Sequence, residues 1–369
     1  MARSEDSLLV ELGSIRDALG WANLTSRAPA ARAAVRAVSR LQDAVARPVR
    51  IAVMGEQNSG KSLLINYLLK HQVLPSGSFA GESTQLLIRH APEASVHAVG
   101  ADGSRNRLTS KAFGRLIKPD MPGAGPGPGV IYDATRPARS AAYTSLIAAG
   151  LAGGPLPGRQ APTKLIEIGL PLDFLRRAEI IEVRSFPAGQ ASAPSARAFR
   201  RVDLAIWCTL ATQAWKETEV AAWKRIPPGR RKLALMLVTY KDAIRRAHDE
   251  TRIAARLRQA TTGLFDEVVI VSLSQALQSL LTSDEDAARN LHHKSNVDAA
   301  EKSIARLIEA WQRRRLQKAG RLLGRLAERL SGLDGGAAGT TQQLAARLGA
   351  LAADFLNASP SISLTERAA

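Results

Sequence analysis

Gly55-Glu56-Gln57-Asn58-Ser59-Gly60-Lys61-Ser62 spells GxxxxGKS, the spacing of a loop that wraps phosphate in its own backbone N–H groups. Such wrapping excludes side chains at Gly55 and Gly60, and a helix that begins where the loop ends adds partial positive charge beside the anion. Lys61 then reaches the β- and γ-phosphates, and Ser62 sets its hydroxyl on Mg2+. The apolar run Ile51-Ala52-Val53-Met54 predicts a strand before the loop, and Leu63-Leu64-Ile65-Asn66-Tyr67-Leu68-Leu69 predicts a helix after it. Gly55 through Leu63 are therefore the expected nucleotide contacts. A glycine-rich turn with a surface lysine is the plain alternative, and it leaves the flanking strand and helix unexplained.

The rest of the chain supplies elements to hold such a loop. Leu8, Leu9, Leu12, Ile15 and Leu19, and after Pro29 the set Val35, Val38, Leu41 and Val45, recur at three- and four-residue intervals and predict two helices within 1–47. Residues 96–99 and 106–108 around Asp102-Gly103 read as a hairpin. Glycine and proline break up 120–162, an insertion in which Pro128 stands where a dinucleotide fingerprint starting at Gly123 and Gly125 needs glycine. Residues 165–168 and 180–183 read as a pair of strands. Strands at 204–208, 233–238 and 268–271 then alternate with helices at 215–225 and 251–264. This order predicts an α/β fold of P-loop NTPase type, a mostly parallel sheet with helices on both faces and ligand at the strand carboxyl ends, within a domain at 48–290.

From 296 to about 330 the pattern changes. Ile304, Leu307, Ile308, Trp311, Leu316, Leu322, Leu323, Leu326 and Leu330 make one apolar stripe, with Lys302, Arg306, Arg313, Arg314, Lys318, Arg321, Arg325 and Arg329 over the remainder. Asp334-Gly335-Gly336 ends this basic helix, and Leu344, Leu348, Leu351 and Phe355 mark a last one before a polar tail at 358–369. The helices of 1–47 and 296–357 are expected to bury their stripes against each other as a bundle.

Composition narrows the partners. The chain has 369 residues, 45% of them apolar, enough for a real core, and carries a formal charge of +18. Such an excess attracts nucleotide, nucleic acid or an acidic membrane without choosing among them, and arginine-rich composition accounts for part of it. Aromatics at 4% leave little for base-stacking platforms, so nucleic acid is disfavoured. The single cysteine, Cys208, excludes an internal disulfide framework and a multi-cysteine zinc site and suits a reducing compartment; it falls in an apolar strand and reads as packing. The N-terminus has no secretory pattern and no stretch reaches a membrane span, so the expected location is cytoplasmic, with any membrane contact peripheral, at its inner face.

Over roughly 35–275 the order of motifs resembles the dynamin-like branch of the large GTPases, of bacterial type. The P-loop with Gln57 at its third position and Asn66 beyond it matches that family's first motif, and Leu74-Pro75-Ser76-Gly77-Ser78 followed by Thr84 its first switch loop. Pro228-Gly229-Arg230-Arg231, a strand, and Thr239-Tyr240-Lys241-Asp242 match the approach to its base-recognition motif; Val271-Ser272-Leu273-Ser274 falls at its last. Two departures stand out. Alignment on Pro187 puts Ser185 where the third motif has a metal-orienting aspartate and Ala188 where it has glycine, with Glu182 too far back along the strand to stand in. Tyr240 replaces the base-packing lysine, and Thr239-Tyr240-Lys241-Asp242 also reads as an ordinary capped turn.

The resemblance implies binding of GTP and GDP with Mg2+. It makes Gln57 the residue that orients the attacking water, Lys61 and Thr84 the groups that close on the γ-phosphate, Ser62 and Thr84 the Mg2+ ligands, and Thr239, Asp242 and Ser272 the base-side contacts. Asn58 sits where potassium-activated GTPases hold K+, and equally suits a tight loop. The expected function is a slow GTPase that couples nucleotide state to the helical bundle at a membrane surface, with a homodimer through the nucleotide-binding face. The alternative is a non-hydrolysing nucleotide switch or scaffold, favoured by Ser185.

Overall fold

The computed structural model describes residues 5–26, 29–71, 73–74, 85–100, 102–108, 163–183, 202–332 and 338–358. They fall into two compact units, Pro48–Ile304 and a unit made of the two ends of the chain, Met1–Arg47 with Ala305–Ala369. The first unit runs past the expected 290 because Val297 is buried with Tyr67 and Ala276 in a small core of that unit.

Nine strands form one sheet in Pro48–Ile304: β1 (Val49–Gly55), β2 (Gln85–His90), β3 (Ser95–Gly100), β4 (Arg105–Arg107), β5 (Thr163–Leu170), β6 (Ala178–Glu182), β7 (Leu204–Leu210), β8 (Ala234–Thr239) and β9 (Glu267–Ile270), in the order β4-β3-β5-β2-β6-β1-β7-β8-β9. β6, β1, β7, β8 and β9 run parallel. Ile51, Ala52, Val53 and Met54 are at most 1% exposed, which is why the central strand reads as a continuous apolar run rather than an alternation. Register then decides what meets at the carboxyl edge: Gly55 lies opposite Cys208 and Thr239 opposite Leu210.

The other half of the sheet corrects the expected pairing. The two segments read as a strand pair are β5 and β6, and β2 lies between them, antiparallel to β6 and parallel to β5. Leu86 and Ile88 of β2 are buried, so the insertion of this strand extends the core rather than capping an edge. The hairpin β3–β4 forms as expected, with Gly103 at φ 89° and the Asp102 carboxylate accepting from Ser104 N at 2.9 Å.

Helices in this unit include α1 (Lys61–Leu69), α2 (Glu217–Arg225), α3 (Ala247–Ala260), α4 (Leu273–Leu281) and α5 (Glu285–Ser295). The sequence reading did not anticipate α4 and α5. Ser272 caps α4 by accepting from Gln275 N, Asp284 caps α5 by accepting from Asp286 N and Ala287 N, and Asn296 at φ 59° ends it.

The terminal unit holds α6 (Glu5–Ser26), α7 (Pro29–Ala46), the stretch of α8 (Val297–Ser331) beyond Ile304, and α9 (Ala338–Asn357). Leu8, Leu12, Ile15, Leu19, Val38, Val45, Leu316, Leu323, Leu344, Leu348, Leu351 and Phe355 share one core, so the bundle joins both ends of the chain as expected. Leu322, assigned to the stripe by spacing, is instead 43% exposed. Arg315 pairs with Glu5 and lies over the Trp311 ring, 4.2 Å from its centroid.

Two glycines of α8 should respond oppositely to alanine. A Cβ at Gly320 would lie 2.8 Å from the Ala352 carbonyl, whereas one at Gly324 meets nothing within 4 Å. Gly324→Ala should stabilise the bundle by about 1 kcal/mol through helix propensity. At Gly320 the clash, at about 1–3 kcal/mol, outweighs that gain and Gly320→Ala should destabilise. Urea unfolding of the two variants measures both signs.

Candidate functional site

Residues 55–62 form the loop their spacing predicts, and the backbone explains their types. Gly55 (φ 140°), Asn58 (φ 61°) and Gly60 (φ 86°) all have positive φ. A Cβ at Gly55 would fall 2.1 Å from the Cys208 carbonyl oxygen, so no side chain fits between β1 and β7 there. Asparagine tolerates the left-handed conformation, which accounts for Asn58 without a bound cation. Gln57 and Asn58 are exposed at the tip. Lys61 begins α1 and is only 6% exposed; its ammonium donates to the Glu56 carbonyl at 2.7 Å. A buried lysine that closes on its own loop's carbonyl holds its charge where an incoming anion would take the place of that carbonyl.

The loop is braced from behind by a ring of hydrogen bonds. The Thr239 hydroxyl lies 3.0 Å from the Ser59 carbonyl and 3.1 Å from the Thr209 carbonyl, tying the loop to β7 and β8. The Glu219 carboxylate, 2% exposed, accepts at 3.0 Å from Thr209 Oγ1, Trp207 Nε1 and Lys216 N. Lys216 Nζ in turn reaches the Glu56 carboxylate at 2.9 Å, and Thr218 Oγ1 donates to the same group at 2.7 Å. Burial raises the Glu219 pKa against these bonds. At Glu56 burial pushes upward too, but the bonds from Thr218 and Lys216 and the charges of Lys216 and Lys61 prevail, and the carboxyl titrates below its ordinary value.

Thr239 thus braces the loop against the sheet. Ser272, fully buried, caps α4. Asp242 is exposed, in a single turn after β8, and accepts from Ser274 Oγ at 3.3 Å. Tyr240 beside it has φ 61° and is half-buried, while Lys241 is turned away onto the Lys294 carbonyl at 3.0 Å. Leu63 lies in the first turn of α1. Asn66, deeper in α1, donates to the Leu74 carbonyl at 2.8 Å and accepts from Val73 N and Leu74 N, so its role is to hold the chain leaving the helix. Thr84, Ser185, Pro187, Ala188 and the insertion at 120–162 lie outside the described residues.

One placement differs from what counting along the chain suggests. Glu182 ends β6 opposite Val53 of β1, is 9% exposed, and brings Oε1 to 3.4 Å from Ser62 Oγ. Along the strand it lies far from the Ser185 position, but β6 and β1 run side by side, and a glutamate reaches across to the helix that β1 feeds. Glu56, Lys216 and Glu219 were also missed as a network. The one local signal was Glu219 three residues after Lys216, at the helical position from which a carboxylate reaches back to the first N–H. Cys208 is fully buried and its thiol is pushed up to about 12, chiefly by burial, with Lys61 pulling down and Glu182 and Glu219 pushing up. It is packing, as read. Among the described residues no group of three or more His, Cys, Asp or Glu forms a metal cluster, and no helix is long and apolar enough to cross a membrane.

No family model matches the chain, and no curated protein sequence is similar to it. Distant structural similarity is found to two chains of an oligomerised bacterial dynamin pair described as sensing and tethering membranes. Their TM-scores are 0.41 and 0.42 at 16% and 15% identity, each match covering 81% of this chain and 42% of the other. A variant of Era from Aquifex aeolicus bound to GDP·AlF4− matches at TM-score 0.34 and 11% identity, covering 71% of this chain and 57% of Era. Era with MgGDPNP and a 16S ribosomal RNA fragment matches at 0.33 and 12%, with the same coverage. The chain thus spans under half the length of the dynamin-pair chains.

Because the folded pKa of Glu56 is lowered, its contribution to stability is present above its ordinary value of 4.5 and is lost as pH falls through the folded value. Melting temperature should therefore drop on the acid side of 4.5, and Glu56→Gln should flatten that limb. A thiol reagent at neutral pH should leave Cys208 unmodified until the protein unfolds.

Proposed function

We propose that the chain is a guanine-nucleotide-binding protein that hydrolyses GTP slowly and passes the nucleotide state to its helical bundle at an acidic membrane surface. The observation that carries the nucleotide reading is the loop itself, with positive φ at Gly55, Asn58 and Gly60 and a buried Lys61 at the start of α1. Those backbone N–H groups and that ammonium suit a polyphosphate. Guanine rather than adenine follows from Asp242, which is exposed and braced by Ser274, since guanine offers a carboxylate two adjacent donors and adenine one. Mg2+ would be held from Ser62 and would neutralise phosphate charge. Gln57, exposed at the loop tip, and Thr84 are assigned on motif grounds, Gln57 to orient water and Thr84 to close on the γ-phosphate.

Slow turnover rests on Ser185, which stands in the sequence where the resembled third motif has an aspartate; the same observation favours the second reading, a switch that does not hydrolyse. The membrane part rests on α8. Arg313, Arg314, Lys318, Arg321, Arg325 and Arg329 are all exposed and make no ion pair among the described residues, spread over about 24 Å of helix. Each contributes on the order of 1 kcal/mol near an anionic bilayer. Exposed Leu322 lies on the margin of this face.

Titration calorimetry with GTP, GDP and ATP tests the nucleotide part. Lys61→Ala should abolish binding, Asp242→Ala should erase the preference for guanine, and unchanged affinity in Lys61→Ala sinks the reading. Single-turnover hydrolysis separates slow GTPase from switch, with K+ raising the rate over Na+ if Asn58 holds the ion. Liposome co-sedimentation should require acidic lipid, fall with salt and weaken when Arg313, Arg314 and Lys318 become glutamate; equal binding to neutral vesicles removes the membrane from the proposal.

A further inference from the structure

A buried carboxylate beside a phosphate-binding loop poses an electrostatic problem. Glu182 is 9% exposed, and its Oε1 sits 3.4 Å from the hydroxyl of Ser62, the residue after the loop lysine. A polyanion bound on this loop would face that carboxylate across a site shielded from water, where like charges repel far more strongly than in solvent. A divalent cation between them would add to the charge of Lys61 and turn the repulsion into attraction. The separation from Ser62 is also long for a hydroxyl donating to a carboxylate, where about 2.5–2.7 Å is usual, so the hydroxyl is not drawn into a tight bond. Neighbouring ligands on an octahedral ion with oxygens at about 2.0–2.1 Å stand roughly 3 Å apart, close to the pair observed.

Resting on the nucleotide reading above, we propose that Glu182, with Ser62, holds the divalent cation that accompanies the bound phosphates, in place of the carboxylate that Ser185 lacks. Mg2+ suits such a site because it takes one or two protein oxygens and fills its other positions with phosphate and water; no larger protein cage exists among the described residues. The position on the chain matters. Glu182 belongs to β6, fixed by pairing to β1 on one side and β2 on the other, with Val183 N donating to the Val53 carbonyl at 2.9 Å. A metal-orienting group on a strand is held by the sheet's own hydrogen bonds. Such a site retains Mg2+ without Ser185, so tight Mg2+-dependent binding is compatible with slow turnover.

The test is GDP affinity of the full chain by calorimetry, in Mg2+ and in EDTA, with Mn2+ uptake in the presence of GDP followed by EPR. Glu182→Gln should lose about 10- to 100-fold of the Mg2+-supported affinity and of Mn2+ uptake, while in EDTA, where the repulsion goes with the carboxylate, it should bind GDP at least as tightly as wild type. Ser62→Ala should lose the same component, and Ser185→Ala should behave as wild type. A Glu182→Gln chain with the full Mg2+ response, or one equally weakened in EDTA, overturns the inference and leaves nucleotide binding standing. A wild-type chain that binds no GDP overturns both.

Discussion

A loop that offers its backbone N–H groups to a ligand has spent the groups that would otherwise hold it together, so something else must fix its shape. Here that support comes from the carboxyl ends of three parallel strands. The Cys208 carbonyl closes against Gly55, the Thr239 hydroxyl spans Ser59 and Thr209, and Glu219 gathers Thr209, Trp207 and Lys216 so that Lys216 can meet Glu56. Each contact is correct in only one register. A slip of one residue between β1 and β7 would turn Cys208 to the other face and move its carbonyl away from Gly55. The apolar runs in these strands thus do more than fill a core, since their pairing sets the shape of the loop.

The cost of this arrangement is buried charge. Lys61, Glu182 and Glu219 are each at least nine-tenths buried, and an unpaired ion in such a setting is destabilising by several kcal/mol. Glu219 meets that demand with three donors. Lys61 uses a carbonyl of its own loop. The exposed arginines of α8, by contrast, remain hydrated.

What the sequence made legible was local. Strand, glycine loop and helix at 49–69 followed from eight residues and their flanks, and the bundle followed from stripes at helical spacing. What escaped it was decided across the sheet. Nothing in residues 85–90 marks them for the slot between β5 and β6, because pairing partners lie far apart in sequence. Glu56 and Lys216 are separated by 160 residues, and no spacing rule connects them. Glu182 was discounted by counting along the chain from Pro187, whereas the relevant neighbour was one strand away. Thr239 and Ser272, expected on the base side, also have structural work, one bracing the loop and the other capping a helix.

The aromatic core beside the loop carries a consequence of its own. Trp207 packs edge-on against Trp215 and Trp223 with centroids 6.1 and 5.7 Å apart, Phe265 closes the group, and the Trp207 indole N–H is the donor to Glu219. An indole's emission depends on what its N–H touches and on the rings around it. Any rearrangement that draws Glu56 away from Lys216, and Lys216 away from Glu219, is therefore relayed to a chromophore already built into the fold.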